Sequence, residues 1–239
     1  SSTKYSVTEG SAVTVTVQRT GGNVGAIQVG YSTTGGTATQ GTDYNQASGT
    51  LTWNHLDSAP KSFTISTIAD GIVDIPGAPA TPETFQVNLS SITRLSDGFM
   101  YAPATPSIPI EIVDTDRFGA LQFAASNFSV SENGGKAIIT VTRTGGSSET
   151  VYVNVVDLGT GSAASPANYT FTPTTLTLDP GVTSTNVIVN IVDDAGAPIQ
   201  NANRTVNLGL NTFGNALPGA TLNTTLTIVD NETINEPAG

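Results

Sequence analysis

The sequence predicts an all-β protein made of two tandem copies of one fold, on the evidence of composition, polar alternation and an internal repeat. Thr contributes 38 and Val 21 of the 239 residues. Both side chains branch at Cβ, which suits the pleated surface of a strand. No convincing window has apolar residues at i, i+3, i+4 and i+7 with the character of a helix, so we expect little helix.

Three stretches alternate polar and apolar residues with the period of a half-buried strand. They are residues 12–17 (A-V-T-V-T-V), 137–142 (A-I-I-T-V-T) and 186–192 (N-V-I-V-N-I-V). Gly, Pro, Asn and Asp interrupt these runs at short spacing and predict turns. Short strands separated by turns in this way are typical of a β-sandwich or a β-barrel.

The second half of the chain repeats the first at offsets between 116 and 125 residues. The matching segments are 5–9 with 128–132, 15–22 with 139–146, 36–44 with 161–169, and 112–114 with 228–230. This small drift predicts two domains, residues 1–116 and 117–239, each long enough to have its own core. Copy two has an additional segment, residues 119–123, ahead of its repeat. We therefore expect the first strand of copy one to be truncated and the chain to belong to a longer array.

Charge and composition exclude several classes of function. The net charge is -11 and only 8 residues are basic, so nucleic acid is a poor partner. The chain has no Cys and one His, which excludes thiolate zinc sites and most catalytic zinc sites. No run of 18 apolar residues is present, so we expect no direct membrane insertion. An acidic chain of low charge content that is rich in Gly, Thr and Ser is typical of secreted or surface proteins.

The acids of copy one are few and lie at predicted strand ends or in loops. Seven of its ten acids stand out as candidate ligands: Glu9, Asp43, Asp70, Asp74, Glu83, Asp114 and Asp116. A β-sandwich gathers its loops at two ends, and several carboxylates at one end can supply the six to eight oxygens that calcium needs. Solvated loop acids, with Asp favoured at turns, explain the same residues without a metal. Composition leaves both interpretations open.

Several separated motifs together resemble the Calx-beta domain. In copy one they are Y-S-V-T-E-G, V-T-V-Q-R-T-G-G, G-T-A-T-Q-G-T-D-Y, G-T-L-T-W, E-T-F-Q-V-N-L and I-E-I-V-D-T-D, and most of them return in copy two. The Calx-beta domain is found in sodium/calcium exchangers, an integrin beta subunit and bacterial surface proteins. The resemblance implies two tandem immunoglobulin-like antiparallel β-sandwiches, each with a calcium cluster in the loops where the chain leaves the domain.

Carried over by position, the resemblance implies a nearly complete ligand set in copy one. Glu9, Asp43, Asp70, Glu83, Asp114 and Asp116 match acidic positions of the family, and Asp74 fills a further one beside the insertion 75–82. One departure is Ala69, which occupies the first place of the usual Asp-Asp pair.

Copy two departs further from the family pattern. Glu132, Asp193, Asp194, Asp230 and Glu232 remain, but Asn168 replaces the loop Asp and Arg204 stands where E-T-F has its Glu. A fixed cation opposes a divalent ion and can neutralise neighbouring carboxylates. We therefore expect weak or vestigial calcium binding in copy two, with Arg204 as an internal counter-ion.

The function implied is that of a calcium-binding structural or adhesive module in a larger extracellular or cell-surface protein. Its partners would be calcium ions, neighbouring repeats of the same chain and a cell-surface or matrix ligand. Calcium at the exit of copy one would brace the junction near Arg117. Two alternatives remain: a cytosolic calcium-sensing domain of a cation transporter, and a non-catalytic accessory module of a secreted enzyme. No nucleophile motif accompanies the single His, so we predict no catalysis by this chain.

Overall fold

The computed structural model describes residues 4–73, 82–193 and 202–231, and it confirms the all-β class. These residues form β-strands and one short 3-10 helix, Glu132–Gly134, with no α-helix among them. The chain divides into two compact units, Ser1–Thr115 and Asp116–Gly239. No helix in the described ranges is long and apolar enough to cross a membrane.

Unit 1 consists of two β-sheets. Its strands are β1 (Tyr5–Thr8), β2 (Ala12–Val17), β3 (Ile27–Gly35), β4 (Ser48–Trp53), β5 (Lys61–Ser66), β6 (Glu83–Leu89), β7 (Ile92–Arg94), β8 (Met100–Tyr101) and β9 (Ser107–Val113). The larger sheet has the order β1-β9-β6-β3-β7-β8, with β4 paired to β3, and the second sheet pairs β2 with β5.

The core of unit 1 follows from the alternation read in the sequence. In β2, Val13 and Val15 are buried, whereas the Thr side chains between them face solvent. Tyr44 and Trp53 are 0% and 1% exposed, so both aromatic side chains belong to the core. Tyr44 stacks on Phe85 with ring centroids 4.1 Å apart. The Trp53 indole N–H donates to the carbonyl of Ala59 at 2.7 Å, which satisfies its polar atom.

One pairing differs from the antiparallel expectation. β1 runs parallel to β9, with Thr8 opposite Val113. The two strands lie at opposite ends of the sequence of the unit, so no hairpin forces them into opposite directions. The neighbouring strand β6 is antiparallel to β9, with Glu83 opposite Ile112. As a result, β1 and β9 end, and β6 begins, at one end of the unit.

Unit 2 also contains two sheets. Its strands are β10 (Ala120–Phe123), β11 (Asn127–Ser131), β12 (Lys136–Thr144), β13 (Val151–Asp157), β14 (Tyr169–Thr170), β15 (Thr174–Leu178), β16 (Ser184–Ile191), β17 (Arg204–Gly214), β18 (Leu217–Pro218) and β19 (Asn223–Val229). The sheet orders are β14-β16-β12-β10-β18 and β11-β19-β17-β13-β15. Val153 of β13, Val189 of β16 and Leu208 of β17 are fully buried in the core of the unit.

The strand register makes the two units directly comparable. β11 is parallel to β19, as β1 is to β9. Arg204 faces Ile228 at the start of β17, just as Glu83 faces Ile112 at the start of β6. Arg204 therefore occupies the structural position of Glu83.

Candidate metal centre

Acids of unit 1 meet at one end because β1 and β9 end there and β6 begins there. β1 ends beside the end of β9, and the Glu9 amide continues the pairing by donating to the carbonyl of Val113 at 3.1 Å. β6 begins with Glu83 at the same level. Asp114 follows the last residue of β9. The register alone thus brings Glu9, Glu83 and Asp114 to a common edge.

Asp70 reaches this edge through the second sheet. Ser66, the last residue of β5, pairs with Ala12 at the start of β2, only a short turn after Glu9. The buried Thr67 hydroxyl holds the turn, since it accepts the Ser11 N–H at 3.1 Å and lies 2.8 Å from the Ser11 carbonyl. The chain then continues directly into Asp70.

Three carboxylates converge at this end. Glu9 and Asp70 of unit 1, and Asp116, which directly follows the last residue of that unit, each offer an oxygen, and the three oxygens lie within 4.8 Å of one another. The Asp70 main-chain N–H donates to Glu9 Oε1 at 2.8 Å. Asp70 Oδ1 accepts the Ile72 N–H at 2.8 Å. Main-chain donors therefore orient two of these carboxylates while leaving further oxygen lone pairs for a cation.

The loop that carries Asp43 is held to the start of β6. Asp43 Oδ2 accepts the Thr39 N–H at 2.6 Å, and the Asp43 carbonyl accepts the Ile68 N–H at 2.9 Å. The Ala38 N–H donates to the carbonyl of Thr84 at 2.9 Å, beside Glu83. A Cβ on Gly36 would lie 2.5 Å from that carbonyl, so this approach requires glycine.

Asp114, Glu83 and Asp43 lie at the same end of unit 1, but they are not part of this group of three oxygens. Asp114 is 4% exposed, and Glu83 and Asp43 are half-buried. A buried carboxylate needs compensating partners, so Asp114 is a strongly constrained member of this end. Ala69 is exposed and lies against the turn at Gly10. Asp74 lies outside the described residues.

The acids of unit 2 form no comparable group of three among the residues that the structure describes. Glu132 is 4% exposed at the start of the 3-10 helix, Asp193 is exposed, and Asp230 follows β19. Asp194 and Glu232 lie outside the described residues.

Two substituted positions of unit 2 contact each other. Asn168 keeps the local role of Asp43, because its side-chain oxygen accepts the Ala164 N–H at 2.9 Å. The same oxygen lies 3.3 Å from Arg204 Nη1, which donates to it. Unit 2 thus places a guanidinium against the loop where unit 1 has carboxylates at both positions.

The tyrosines next to these loop residues have raised pKa values. Burial raises the pKa of Tyr44, and the charge of neighbouring Asp43 adds to the effect. Burial and the hydrogen bond that its hydroxyl donates to Asp157 raise the pKa of Tyr169 to about 12. Both phenols are neutral at physiological pH and add no charge beside Asp43 in unit 1 or Asn168 in unit 2.

A second cationic feature was missed by sequence reasoning. The Arg143 side chain is 3% exposed, and the carbonyls of Phe118, Ser148, Glu149 and Asp179 accept its N–H groups. Arg19 makes similar bonds to carbonyls in unit 1, including that of Gly25 at 2.9 Å. The repeated R-T-G-G motif was the available signal, and its arginine joins loops at the end of β2 away from Glu9.

Comparison with known proteins gives one family and several similar structures. The Calx-beta domain model matches residues 1–112 and 114–232. The crystal structure of CBD12 from CALX1.2 is 19% identical, with 94% of this chain and 96% of that chain covered and a TM-score of 0.46. The calcium binding domain CBD12 of CALX1.1 is 18% identical, with coverages of 93% and 96% and a TM-score of 0.47. The apo-form Calx CBD1 domain is 19% identical over 47% of this chain and 97% of that chain, with a TM-score of 0.43.

Proposed function

The chain belongs to the Calx-beta domain family, and we propose that it is a calcium-binding structural module whose ion is held at the exit of its first copy. The observation that carries the proposal is the convergence of Glu9, Asp70 and Asp116. Two oxygens that bind one Ca2+ at 2.3–2.6 Å lie at most about 5 Å apart. The 4.8 Å limit on the three oxygens fits this requirement.

The donor set also has the right chemistry for calcium. Ca2+ is a hard cation that takes carboxylate and carbonyl oxygens, and the candidate ligands of copy one are all carboxylates. Asp43, Glu83 and Asp114 lie at the same end and would complete the set. The ion would supply the positive charge that offsets repulsion between these groups, while the Asp70 and Ile72 amides orient the carboxylates that bind it.

We assign weak or no calcium binding to copy two. Arg204 occupies the position of Glu83 and donates to Asn168, which occupies the position of Asp43. This pair replaces two potential negative ligands by a cation and an amide. Glu132, Asp193, Asp194, Asp230 and Glu232 would then be balanced in part by Arg204 and not by a divalent ion.

The proposed setting is extracellular, in a larger surface protein, where calcium would brace the junction between the copies. Asp116 immediately precedes Arg117 in the chain, so an ion bound to Asp116 restrains the linking segment directly. Only 11% of the residues are charged and the sequence is rich in Gly and Thr, which favours a surface protein. A matrix or cell-surface ligand and contacts with neighbouring repeats belong to the same proposal. We assign the chain a binding role and no catalysis.

Calcium titration with two readouts tests the proposal. Trp53 is the only Trp of the chain and is buried in unit 1, so its fluorescence reports the unfolding of that unit. Calorimetry follows the thermal unfolding of both units. At a calcium concentration 100 times Kd, mass action adds about 2.7 kcal/mol. We expect the melting temperature of unit 1, followed by Trp53 fluorescence, to be roughly 10 °C higher in calcium than in EDTA.

Glu9→Gln should abolish most of that rise, because it removes one charge from the cluster and keeps the oxygen that accepts the Asp70 amide. Asp97→Asn is the matched control, an acid in the turn between β7 and β8, and should leave the calcium response unchanged. Absence of binding heat and of any shift up to millimolar calcium would make the module a calcium-free spacer. A Kd of about 10⁻⁴–10⁻³ M fits an extracellular module, and about 10⁻⁷–10⁻⁵ M would assign a sensor instead.

A further inference from the structure

The outer face of one sheet in unit 2 carries no charged side chain. This sheet has the order β11-β19-β17-β13-β15, and in its strands the residues that face the core alternate with residues that face outward. The outward positions hold Ser, Thr, Asn, Gly and Val, with Tyr152 as the one aromatic residue among them in the five strands. The chain as a whole has 19 acids and 8 bases, so a broad face without charge is a distinct surface of this molecule.

The ring of Tyr152 lies flat on this face. Tyr152 in β13 is paired with Gly214 in β17. A Cβ on Gly214 would overlap the Tyr152 ring, so the ring lies directly over the Cα of this glycine. Gly214 is buried as a result, whereas Tyr152 is 44% exposed. One face of the ring therefore packs on the strand, and the opposite face meets solvent.

Amide groups lie beside the exposed ring. Asn154 is two residues from Tyr152 in β13 and faces the same side. The Thr175 hydroxyl donates to Asn154 Oδ1 at 2.7 Å, which orients the amide. The Nδ2 group of Asn154 makes no hydrogen bond within the described ranges, so its two N–H donors remain for a ligand. Asn211, the partner of Asn154 in β17, is exposed and adds a second amide.

A depression of about 280 Å³ continues the same face toward β19. Its lining includes Leu158, Asn207 and Thr225. The Thr225 hydroxyl donates to Asn207 Oδ1 at 2.9 Å, as Thr175 does to the amide beside the ring. Along β17, Gly214 and Asn207 are roughly 20 Å apart. A ligand that contacts both the ring and the depression is therefore a chain molecule.

The fold that the two units share does not require this arrangement. Gln28 of unit 1 pairs with Thr52 and Thr93, as Tyr152 pairs with Thr177 and Gly214. Gln28 thus occupies the position of Tyr152, and a threonine occupies that of the glycine beneath the ring. The exposed ring on glycine is specific to unit 2.

The chemistry of this face matches an uncharged saccharide. A sugar ring presents C–H groups that pack on the face of an aromatic ring, and its hydroxyl groups both donate to and accept from amides and hydroxyls. Anionic polysaccharides find no basic side chain among the outward strand positions, and the net charge of -11 repels them.

We propose that the outer face of this sheet binds a neutral polysaccharide. Tyr152 stacks on one sugar ring, and the amides of Asn154 and Asn211 bond its hydroxyls. The proposal rests on the adhesive part of the proposed function and names the class of its ligand. It does not involve the calcium ligands, so binding is expected in EDTA.

The test uses the full chain, labelled at its N-terminus, on immobilised oligosaccharides of glucose, galactose, mannose and N-acetylglucosamine in EDTA. We expect saturable binding to at least one of them. Tyr152→Phe keeps the ring and should bind within about threefold of the wild type. Tyr152→Leu still covers Gly214 but has no ring face, and it should weaken binding about tenfold. Asn154→Asp removes the N–H donors and should weaken binding to a similar extent.

Tyr101→Leu is the matched control, because Tyr101 of unit 1 is 43% exposed, and it should bind like the wild type. Calorimetry of the unit 2 transition reports whether each variant is folded. No binding to any neutral oligosaccharide, wild-type affinity of a folded Tyr152→Leu variant, or an equal loss with Tyr101→Leu would each overturn the proposal.

Two further comparisons separate the possible ligands and the two proposals. Binding confined to heparin or alginate oligosaccharides on the same support would assign the face to an anionic ligand and contradict the proposal. Glu9→Gln, which is expected to impair calcium binding, should bind neutral oligosaccharides like the wild type. Failure of saccharide binding with an intact calcium response would therefore remove this proposal alone, and the reverse result would remove only the calcium site.

Discussion

The guanidinium of Arg204 donates to the side-chain oxygen of Asn168 over 3.3 Å, and the corresponding residues of the other unit, Glu83 and Asp43, are both carboxylates. Two residues far apart in the sequence, both of which differ in type from their counterparts in unit 1, thus contact each other. A guanidinium carries its charge at all accessible pH values, so unit 2 keeps this charge without any dissolved ion. The two units of one chain therefore differ in the charges that they carry at this pair of positions.

Restoring both carboxylates should restore calcium dependence to unit 2. We expect Arg204→Glu combined with Asn168→Asp to lower the melting temperature of unit 2 in EDTA, because unbalanced carboxylates repel. Saturating calcium should reverse the loss, by about 2.7 kcal/mol at 100 times Kd. Calorimetry measures both effects on the unit 2 transition, while Trp53 fluorescence follows unit 1 separately.

Arg204→Gln is the control for that experiment, since it removes the cation without adding a negatively charged ligand. Its unit 2 transition should gain little from calcium. If the doubly substituted chain also gains nothing, the acids of unit 2 do not form a latent calcium site and the role assigned to Arg204 is wrong.

Neutralising Asp70 should change the stability of unit 1 in opposite directions with and without calcium. Its carboxylate lies close to those of Glu9 and Asp116, and at 4.8 Å two unit charges in water repel by about 1 kcal/mol. Asp70→Asn keeps an oxygen for the Ile72 amide and should raise the stability of unit 1 in EDTA by roughly that amount. In saturating calcium it should lower stability, because a charged ligand is lost.

Urea unfolding followed by Trp53 fluorescence at low ionic strength checks the sign in each condition. Asp57→Asn is a comparison of a different kind, because Asp57 pairs with Lys61 at 2.9 Å and its removal should destabilise in both conditions. A stability loss of equal size for Asp70→Asn in EDTA and in calcium would show that Asp70 is only a turn residue.

The buried guanidinium of Arg143 should be a major source of stability in unit 2. Burial lowers its pKa, and four main-chain carbonyls accept its N–H groups. Arg143→Met leaves these acceptors without their donor, and we expect a loss of about 3 kcal/mol. Arg143→Lys should recover only part, because an ammonium cannot span the same carbonyls.

The unit 2 transition in calorimetry measures that loss. Arg19→Met is the comparison in unit 1, where the side chain is half-buried, and should cost less. If both Arg143 variants melt at the wild-type temperature, water satisfies the four carbonyls in the absence of the guanidinium. Arg143 is then not a major source of stability in unit 2.

The fold, and the gathering of Glu9, Glu83 and Asp114 at one end of unit 1, could be predicted from the sequence because local patterns determine them. Alternation within β2 and β12 fixes which side chains face the core, and turn residues between strands fix where loops fall. Acids placed just after strands then share an end once the strands pair. The tandem copies were visible because Glu9 and Glu132 follow matching strand motifs.

Other features depend on contacts that no local pattern specifies. The parallel pairing of β1 with β9 joins segments about a hundred residues apart, and it decides that Glu9 lies beside Val113. The convergence of Glu9 with Asp70 requires the amide of one to orient the carboxylate of the other. Burial of Arg143 was likewise hidden, because the sequence shows a charged residue at the end of a strand, next to a glycine-containing turn.

Alkaline pH should destabilise unit 2 through Tyr169. Its pKa is about 12 in the folded state against 10.0 for an ordinary tyrosine, so the folded chain holds the phenolic proton more tightly. The contribution to stability is complete below pH 10 and is lost as pH rises toward 12. Denaturant unfolding of unit 2 between pH 9 and 11.5 should show a steepening decline that Tyr169→Phe reduces. The phenylalanine variant starts less stable, since the hydrogen bond to Asp157 is gone, and the two curves should converge at high pH. Parallel curves would mean that Tyr169 titrates equally in both states and that its hydrogen bond to Asp157 does not hold the proton.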